Sequence, residues 1–406
     1  MARLTELNEP TRTRLLNLEC PTFESRPWVI GSPLSRRRVA IISTAGLHRQ
    51  GDRSFTWGSN DYRLIPGDLL ASELVMSHVS VNFDRTGFQQ DLNVIFPLDR
   101  LRELATEGVI GSVAAFHYSF MGATAPQEME LVVRGLAALL KRDGVDAVLL
   151  VPVCPFCTRA VGGLSHYLEE EGLATTQISL IREHTERIKP PRALWVPFEL
   201  GRPLGVPNDA TFQKRVLNAA LTLLEAPAGP ILADFPEEAP VPADLTGWAC
   251  PINLAEAKAK SAGDTTLADD LNREIAFLKP WYDMAVQKQR RTTVGVSGLS
   301  IEQAARFLVA FLNGLNPPSP RPELPAGEAL KLASEDLKAY YFESAIAQPG
   351  EATSRQMADW FWGETVAGRL LFDLQKVCLQ SSDPLLKMIG TLLLIPRSQE
   401  HRARKG

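Results

Sequence analysis

Over the first 240 or so residues the hydrophobic positions follow two periods in turn. Short runs rich in β-branched residues, Arg38 to Gly46, Val79 to Phe83, Val145 to Val153, Thr175 to Ile181 and Ala193 to Pro197, read as strands. Between them, Leu98 to Glu107, Glu128 to Arg142, Arg159 to Glu171 and Asp209 to Glu225 place apolar residues three and four apart, the spacing of a helix with one buried face. The unbroken apolar stretch from Val148 to Val153 predicts a strand covered on both faces, as in a parallel sheet. The expected fold is therefore α/β, a layered and mostly parallel sheet with helices on both faces, spanning residues 37–240 behind an N-terminal arm over residues 1–36.

Near Asp234 the pattern changes. Pro236, Pro240 and Pro242, with Glu237 and Glu238, read as a linker. After it only helical stripes appear: Thr266 to Arg290, Ser300 to Leu312, Glu328 to Ser344, Ser354 to Ser381 and Asp383 to Leu394. Residues 241–406 are thus expected to form an all-α domain, with Pro317 to Pro322 as a stiff connector inside it. Its Trp360-Phe361-Trp362 cluster reads as core or interface, because such side chains chiefly supply buried area. No period of about 20 to 50 residues recurs, which argues against a solenoid.

The chemistry concentrates at Cys154-Pro155-Phe156-Cys157, where a buried strand hands over to a helix. Ligands in open α/β sheets gather at the carboxyl ends of strands, and the free amides of a first helical turn favour an anion such as a thiolate. A C-x-x-C at such a position can lower a cysteine pKa from about 8.5 into the range of roughly 3.5 to 7.5, with the second sulfur able to release an adduct of the first as a disulfide. On this reasoning Cys154 is expected to be the more exposed, attacking thiol. Two other readings stand beside it: half of a zinc site, or two inert buried thiols. The remaining cysteines, Cys20, Cys250 and Cys378, are scattered singly and supply no evident second half.

Several ordered blocks, Asp91-Leu92-Asn93-Val94-Ile95-Phe96-Pro97-Leu98-Asp99-Arg100-Leu101-Arg102-Glu103-Leu104, Glu107 to Ser112, His117 to Gly122 and Asp143 to Leu150 leading into the cysteine pair, resemble the selenoprotein B family. That family comprises the substrate-specific subunits of glycine, sarcosine, betaine and D-proline reductases. The likeness extends over roughly residues 39–234. It implies that Cys154 stands where those reductases carry selenocysteine, with Cys157 as resolving partner. It also implies reductive cleavage of a C–N bond beside a carboxylate, usually with a pyruvoyl-bearing partner subunit. A sulfur in place of selenium leaves the substrate and that partner open.

Other candidates are polar residues set near strand ends. His48 lies in a glycine-bearing loop after the first strand, His78 precedes Val79, and His117-Tyr118-Ser119 follows another apolar stretch. An imidazole titrates near pH 6.5, so His117 is the expected proton donor. His48, His78, Asp84, Asp91, Tyr118, Ser119 and Arg159 are expected around the substrate, the two aspartates orienting a histidine and Arg159 holding an anionic group.

Composition narrows the partners. With a net charge of −4 and one short basic tail, Arg397 to Lys405, the chain is not a dedicated nucleic-acid binder. It has no apolar run of about 18 residues and no basic, then apolar, leader at its start, so no membrane span or signal peptide is expected. Five cysteines, an odd number, fit a reducing compartment, and the expected location is cytoplasmic. No phosphate-cradling glycine motif occurs, and the helical half has no histidine before His401. No intrinsic cofactor or metal is expected. The reading is a thiol-dependent reductase acting on a C–N or related carbon–heteroatom bond of a small, carboxylate-bearing molecule. Its expected partners are that substrate, an external dithiol or thioredoxin-like electron donor, and further copies of itself. The rival is a non-catalytic small-acid binding or assembly protein whose helical domain docks a partner.

Overall fold

A computed structural model of the chain describes residues 9–241, 266–315 and 317–402. Pro242, Cys250, Arg404 and Lys405 lie outside them. The chain forms two compact units, one made of Met1–Arg49, Phe55–Leu70 and Asn82–Pro240, the other of Gln50–Ser54, Ala71–Val81 and Val241–Gly406. Two short segments that the sequence pattern groups with the α/β half thus belong to the second unit.

The first unit holds an eight-stranded sheet. Its strands are β1 (Arg38–Ser43), β3 (Tyr62–Pro66), β5 (Ser112–Val113), β6 (Phe116–Phe120), β7 (Ala147–Val151), β8 (Ala174–Ser179), β9 (Arg192–Trp195) and β10 (Ile231–Asp234), with β2 (Leu47–Arg49) and β4 (Leu74–Met76) outside it. The order is β10-β9-β8-β7-β1-β6-β3, with β5 also beside β1. Every pairing is parallel except β3 with β6, so the predicted mostly parallel α/β sheet is present as a mixed sheet.

Helices cross between successive parallel strands: α4 (Pro126–Arg142), α5 (Cys157–Glu170), α6 (Arg182–Ile188) and α7 (Ala210–Thr222), preceded by α1 (Glu9–Leu16), α2 (Thr86–Gln90) and α3 (Leu98–Thr106). All five residues of β7 are wholly buried. Burying each Val or Leu there contributes about 1.5 to 3 kcal/mol, which is why this run tolerates no polar residue. The chain leaves β1 toward β6 on one side and returns through α4 to β7 on the other, so the strand order reverses between β1 and β7. A crevice at the carboxyl ends of these two strands is where such sheets hold ligands.

The arm is pinned across α5 and α6. Leu15 O lies 2.7 Å from His184 Nε2, and Arg187 donates to Leu16 O and Arg159 to Glu19 O. Phe23 stacks on His166 at 4.0 Å. Gly162 and Gly163 serve helix packing: a Cβ on the first would come within 3.0 Å of Ile188, and on the second within 2.4 Å of Pro126.

The second unit contains α8 (Leu267–Gln289), α9 (Ile301–Leu312), α10 (Ala326–Ile346), α11 (Ser354–Glu364), α12 (Val366–Gln380) and α13 (Pro384–Leu392). Capping boxes at Thr266/Asp269, Ser300/Gln303 and Thr353/Gln356 start three of them. The single helix expected over Ser354 to Ser381 is two. Thr365 adopts an extended conformation and caps α12 through Gly368 N, while buried Glu274 accepts from the Val366 and Ala367 amides. Trp360, Phe361 and Trp362 are buried. The strand expected at Val79 to Phe83 is absent: the strand lies earlier, at Leu74–Met76, and His78 Nδ1 accepts the Ser80 amide in a local turn. No helix among the described residues is long and apolar enough to cross a membrane.

Candidate active site

The geometry of the cysteine pair begins with β7, which ends at Val151 beside Ser43 of β1. Pro152 stops the strand, and a turn brings the Cys157 amide to Cys154 O at 3.0 Å. Helix α5 starts at Cys157, so Cys154 precedes the helix and is not in its first turn. The two sulfurs lie 2.8 Å apart and are not joined in a disulfide.

Both cysteines are 0% exposed, which overturns the expectation that Cys154 is the more exposed. The same burial reverses the expected pKa. Desolvation, then the hydrogen bond and charge of Cys157, drive the Cys154 thiol well above its ordinary range, against hydrogen bonds from the Cys157 and Phe156 amides. The amides and helix dipole contribute about 0.3 to 2 kcal/mol, whereas full burial of an ionised group shifts a pKa by up to about 3 to 5 units, roughly 4 to 7 kcal/mol. Iodoacetamide is therefore expected to label half-buried Cys20 faster than Cys154, Cys157 or Cys378 in the native protein, as read by peptide mass mapping at neutral pH. Preferential labelling of Cys154 would contradict the burial.

Two residues that sequence reasoning passed over also line the pair. Thr44, just past β1, accepts from Cys157 Sγ at 3.6 Å and from the Gly122 amide at 3.2 Å. Gly122, just past β6, lies so close that a Cβ there would be 2.7 Å from Cys157 Sγ and 2.6 Å from Thr44 Cβ. The available signal was a glycine following a strand within the block His117 to Gly122.

Most of the other candidates carry structural tasks. His117 Nδ1 accepts the Ile41 amide at 2.9 Å, filling the ladder of β1 between the stretches paired with β5 and β6. Burial, with Arg102 nearby, lowers its pKa to about 3, so the ring is neutral at physiological pH and Nδ1 is an acceptor. That corrects the expectation of a histidine poised near pH 6.5 at this position. Ser119 Oγ accepts the Leu47 amide, and Tyr118 packs edge-on against Tyr62 within the core. His48 Nδ1 lies 2.8 Å from Arg49 O. His78 belongs to the second unit. Asp91 accepts from Asn93, Asn208 and Gln213.

Asp84 is held by Arg202 at 2.7 Å and by Thr86. Burial alone would raise its pKa, but Arg202 and Thr86 outweigh it and hold the carboxyl below the usual range. A carboxyl depressed in the folded state adds stability above its unfolded pKa near 3.9, and that stability is lost as pH falls through the folded value. Acid unfolding should therefore be shallower below about pH 4 in Asp84→Asn than in the native sequence, by circular dichroism. Parallel curves would show that the pair contributes nothing.

Arg159 remains near the pair. Burial lowers its pKa, while the charges of Cys20 and then Cys154 raise it. Its guanidinium lies 5.9 Å from the centre of the Phe156 ring.

Residues 33–153 match the family model for glycine/sarcosine/betaine reductase selenoprotein B, a match ending one residue before Cys154. Over 204 residues the chain is 32% identical to D-proline reductase subunit gamma of Acetoanaerobium sticklandii, covering 49% of this chain and 84% of that protein. The chain belongs to the selenoprotein B family. Further relatives in it are glycine reductase complex component B subunit gamma of Symbiobacterium thermophilum, 27% identical over 48% of this chain and 47% of that protein, and sarcosine reductase complex component B subunit beta of Peptoclostridium acidaminophilum, 27% identical over 47% and 46%. The chain spans about half the length of these two. No solved structure matches it. The family resemblance of the sequence blocks is thereby confirmed, and the relatives' names support a reductase-related role.

Proposed function

We propose that this chain is the thiol-bearing component of a reductive cleavage system, acting on a C–N or related carbon–heteroatom bond of a small carboxylate-bearing molecule. The observation that carries the reading is the pair of unbridged sulfurs 2.8 Å apart at the carboxyl ends of β1 and β7. Cys154, as thiolate, attacks the substrate carbon and forms a C–S bond while the amine leaves with the C–N electrons and a proton. Cys157, deprotonated, then attacks the Cys154 sulfur. The S–S bond forms, the C–S electrons pass to the substrate carbon, and that carbon takes a proton from solvent. The substrate gains two electrons and the dithiol loses them. An external dithiol or thioredoxin-like protein restores the thiols.

His117 is given no proton to move, because its acceptor nitrogen is occupied by the Ile41 amide. It holds β1 against β6. Arg159 supplies the positive charge for a substrate carboxylate or for the thiolate. Burial of the sulfurs implies that the thiolate forms when substrate or a partner subunit reaches the pair, which fits relatives named as components of reductase complexes.

Mild oxidation is the direct test. The purified protein should lose two free thiols, with a Cys154–Cys157 bridge in the peptide map, and dithiothreitol should reverse it. Failure of that bridge to form, or stoichiometric zinc resistant to chelators, would defeat the redox reading.

A further inference from the structure

Three chain segments close on one sulfur. Cys157 Sγ touches Cys154 Sγ, reaches Thr44 O, and faces the bare Cα of Gly122, where a methyl group would intrude to 2.7 Å. Gly122 is itself tied down, its amide donating to Thr44 O and its neighbour Met121 bridging Ala45. The carbonyl that receives the Cys157 thiol is therefore the one that anchors Gly122.

We propose that Gly122 is a positioning residue, whose missing side chain lets the end of β6 hold Cys157 Sγ against Cys154 Sγ so that the two sulfurs keep one proton between them. This rests on the dithiol reading above and adds how its thiolate is made within a buried site. Bulk water does not reach a thiolate here, so the neighbouring S–H adds to the Cys157 and Phe156 amides in holding it. Burial holds both ionisations up, but the first is the easier of the two, because the remaining S–H donates to the new S⁻. The second is harder, because two adjacent negative charges repel in a dry site. Adding a Cβ at position 122 forces Cys157 Sγ aside, lengthens the S–H···S contact and brings the two ionisations together.

The experiment uses the full chain with Cys20, Cys250 and Cys378 replaced by serine, and reads thiolate absorbance near 240 nm against pH. The parent should ionise in two steps more than about two pH units apart. In Gly122→Ala the first ionisation constant should fall about tenfold, one pKa unit. Gly67→Ala is the control, since its Cβ would meet Ala114 O at 2.8 Å in the same unit and strain the backbone with no sulfur nearby. It should lower the melting temperature but leave the titration where it was. An unchanged titration in Gly122→Ala, or an equal shift in Gly67→Ala, overturns the proposal. Should Gly122→Ala not fold, the parent decides: a single merged step overturns it. Because the titration needs no substrate, two distinct steps without an oxidisable bridge would overturn the reductase reading and leave this one standing.

Discussion

Turnover of a cleavable substrate by Cys154→Ser is expected to fall to background, a loss on the order of a thousandfold or more, because a hydroxyl neither ionises near neutral pH nor yields a resolvable adduct. Cys157→Ser should fail differently. It keeps the attacking sulfur and loses the resolving one, so a single equivalent of substrate should remain on Cys154 as a covalent adduct visible by intact mass. Both variants should fold, since a serine fills nearly the same volume and the Cys154 side chain anchors no secondary structure. The contrast is the diagnostic part. Equal residual turnover in both variants would show that the pair is not the reacting centre, and the small-acid binding reading would then be the better one.

The second large effect concerns stability. Arg192 Nη1 meets Glu169 Oε1 at 2.6 Å, with both side chains 0% exposed. Glu169 also accepts from the Thr175 and Val29 amides, and Arg192 donates to Val29 O and lies 3.6 Å from the centre of the Trp28 ring. One ion pair therefore ties α5, β8, β9 and the N-terminal arm together. Removing either partner leaves a buried charge without its counter-ion, at a cost of about 3 to 5 kcal/mol. Glu169→Ala and Arg192→Met should each lower stability by that amount in urea unfolding, and the double substitution by much less than the sum. Additive losses would show that the two groups act independently. The cost is a large fraction of the about 5 to 15 kcal/mol that holds a domain folded, so the single variants are expected to accumulate poorly.

How much of this was legible beforehand follows from the range of the forces involved. Val148 to Val151 read as a doubly covered strand because apolar burial is written residue by residue in the chain, and the same holds for the helical stripes beyond residue 266. Cap signals were local too, and Thr365 broke the expected long helix because its hydroxyl and Glu274 together satisfy the amides starting α12. The place of Cys154 at a strand's carboxyl end, and the family, were likewise fixed by short, ordered motifs.

The state of the thiols was not. Position at a helix start argues for a lowered pKa, but the decisive quantity is how much solvent remains around the sulfur, and that depends on Thr44 and Gly122, which lie over 30 residues away in the chain. His117 looked like a titrating group for the same reason. Only the gap between β5 and β6 along β1 shows that its ring is consumed by the Ile41 amide. Sequence by itself determined β1, β7, β8 and β9, most of the helices and the pair of sulfurs, because periodicity and motif spacing are local. Tertiary structure decided which groups are dry, neutral or already bonded, because desolvation and hydrogen-bond commitment are set by whatever distant segments pack against them.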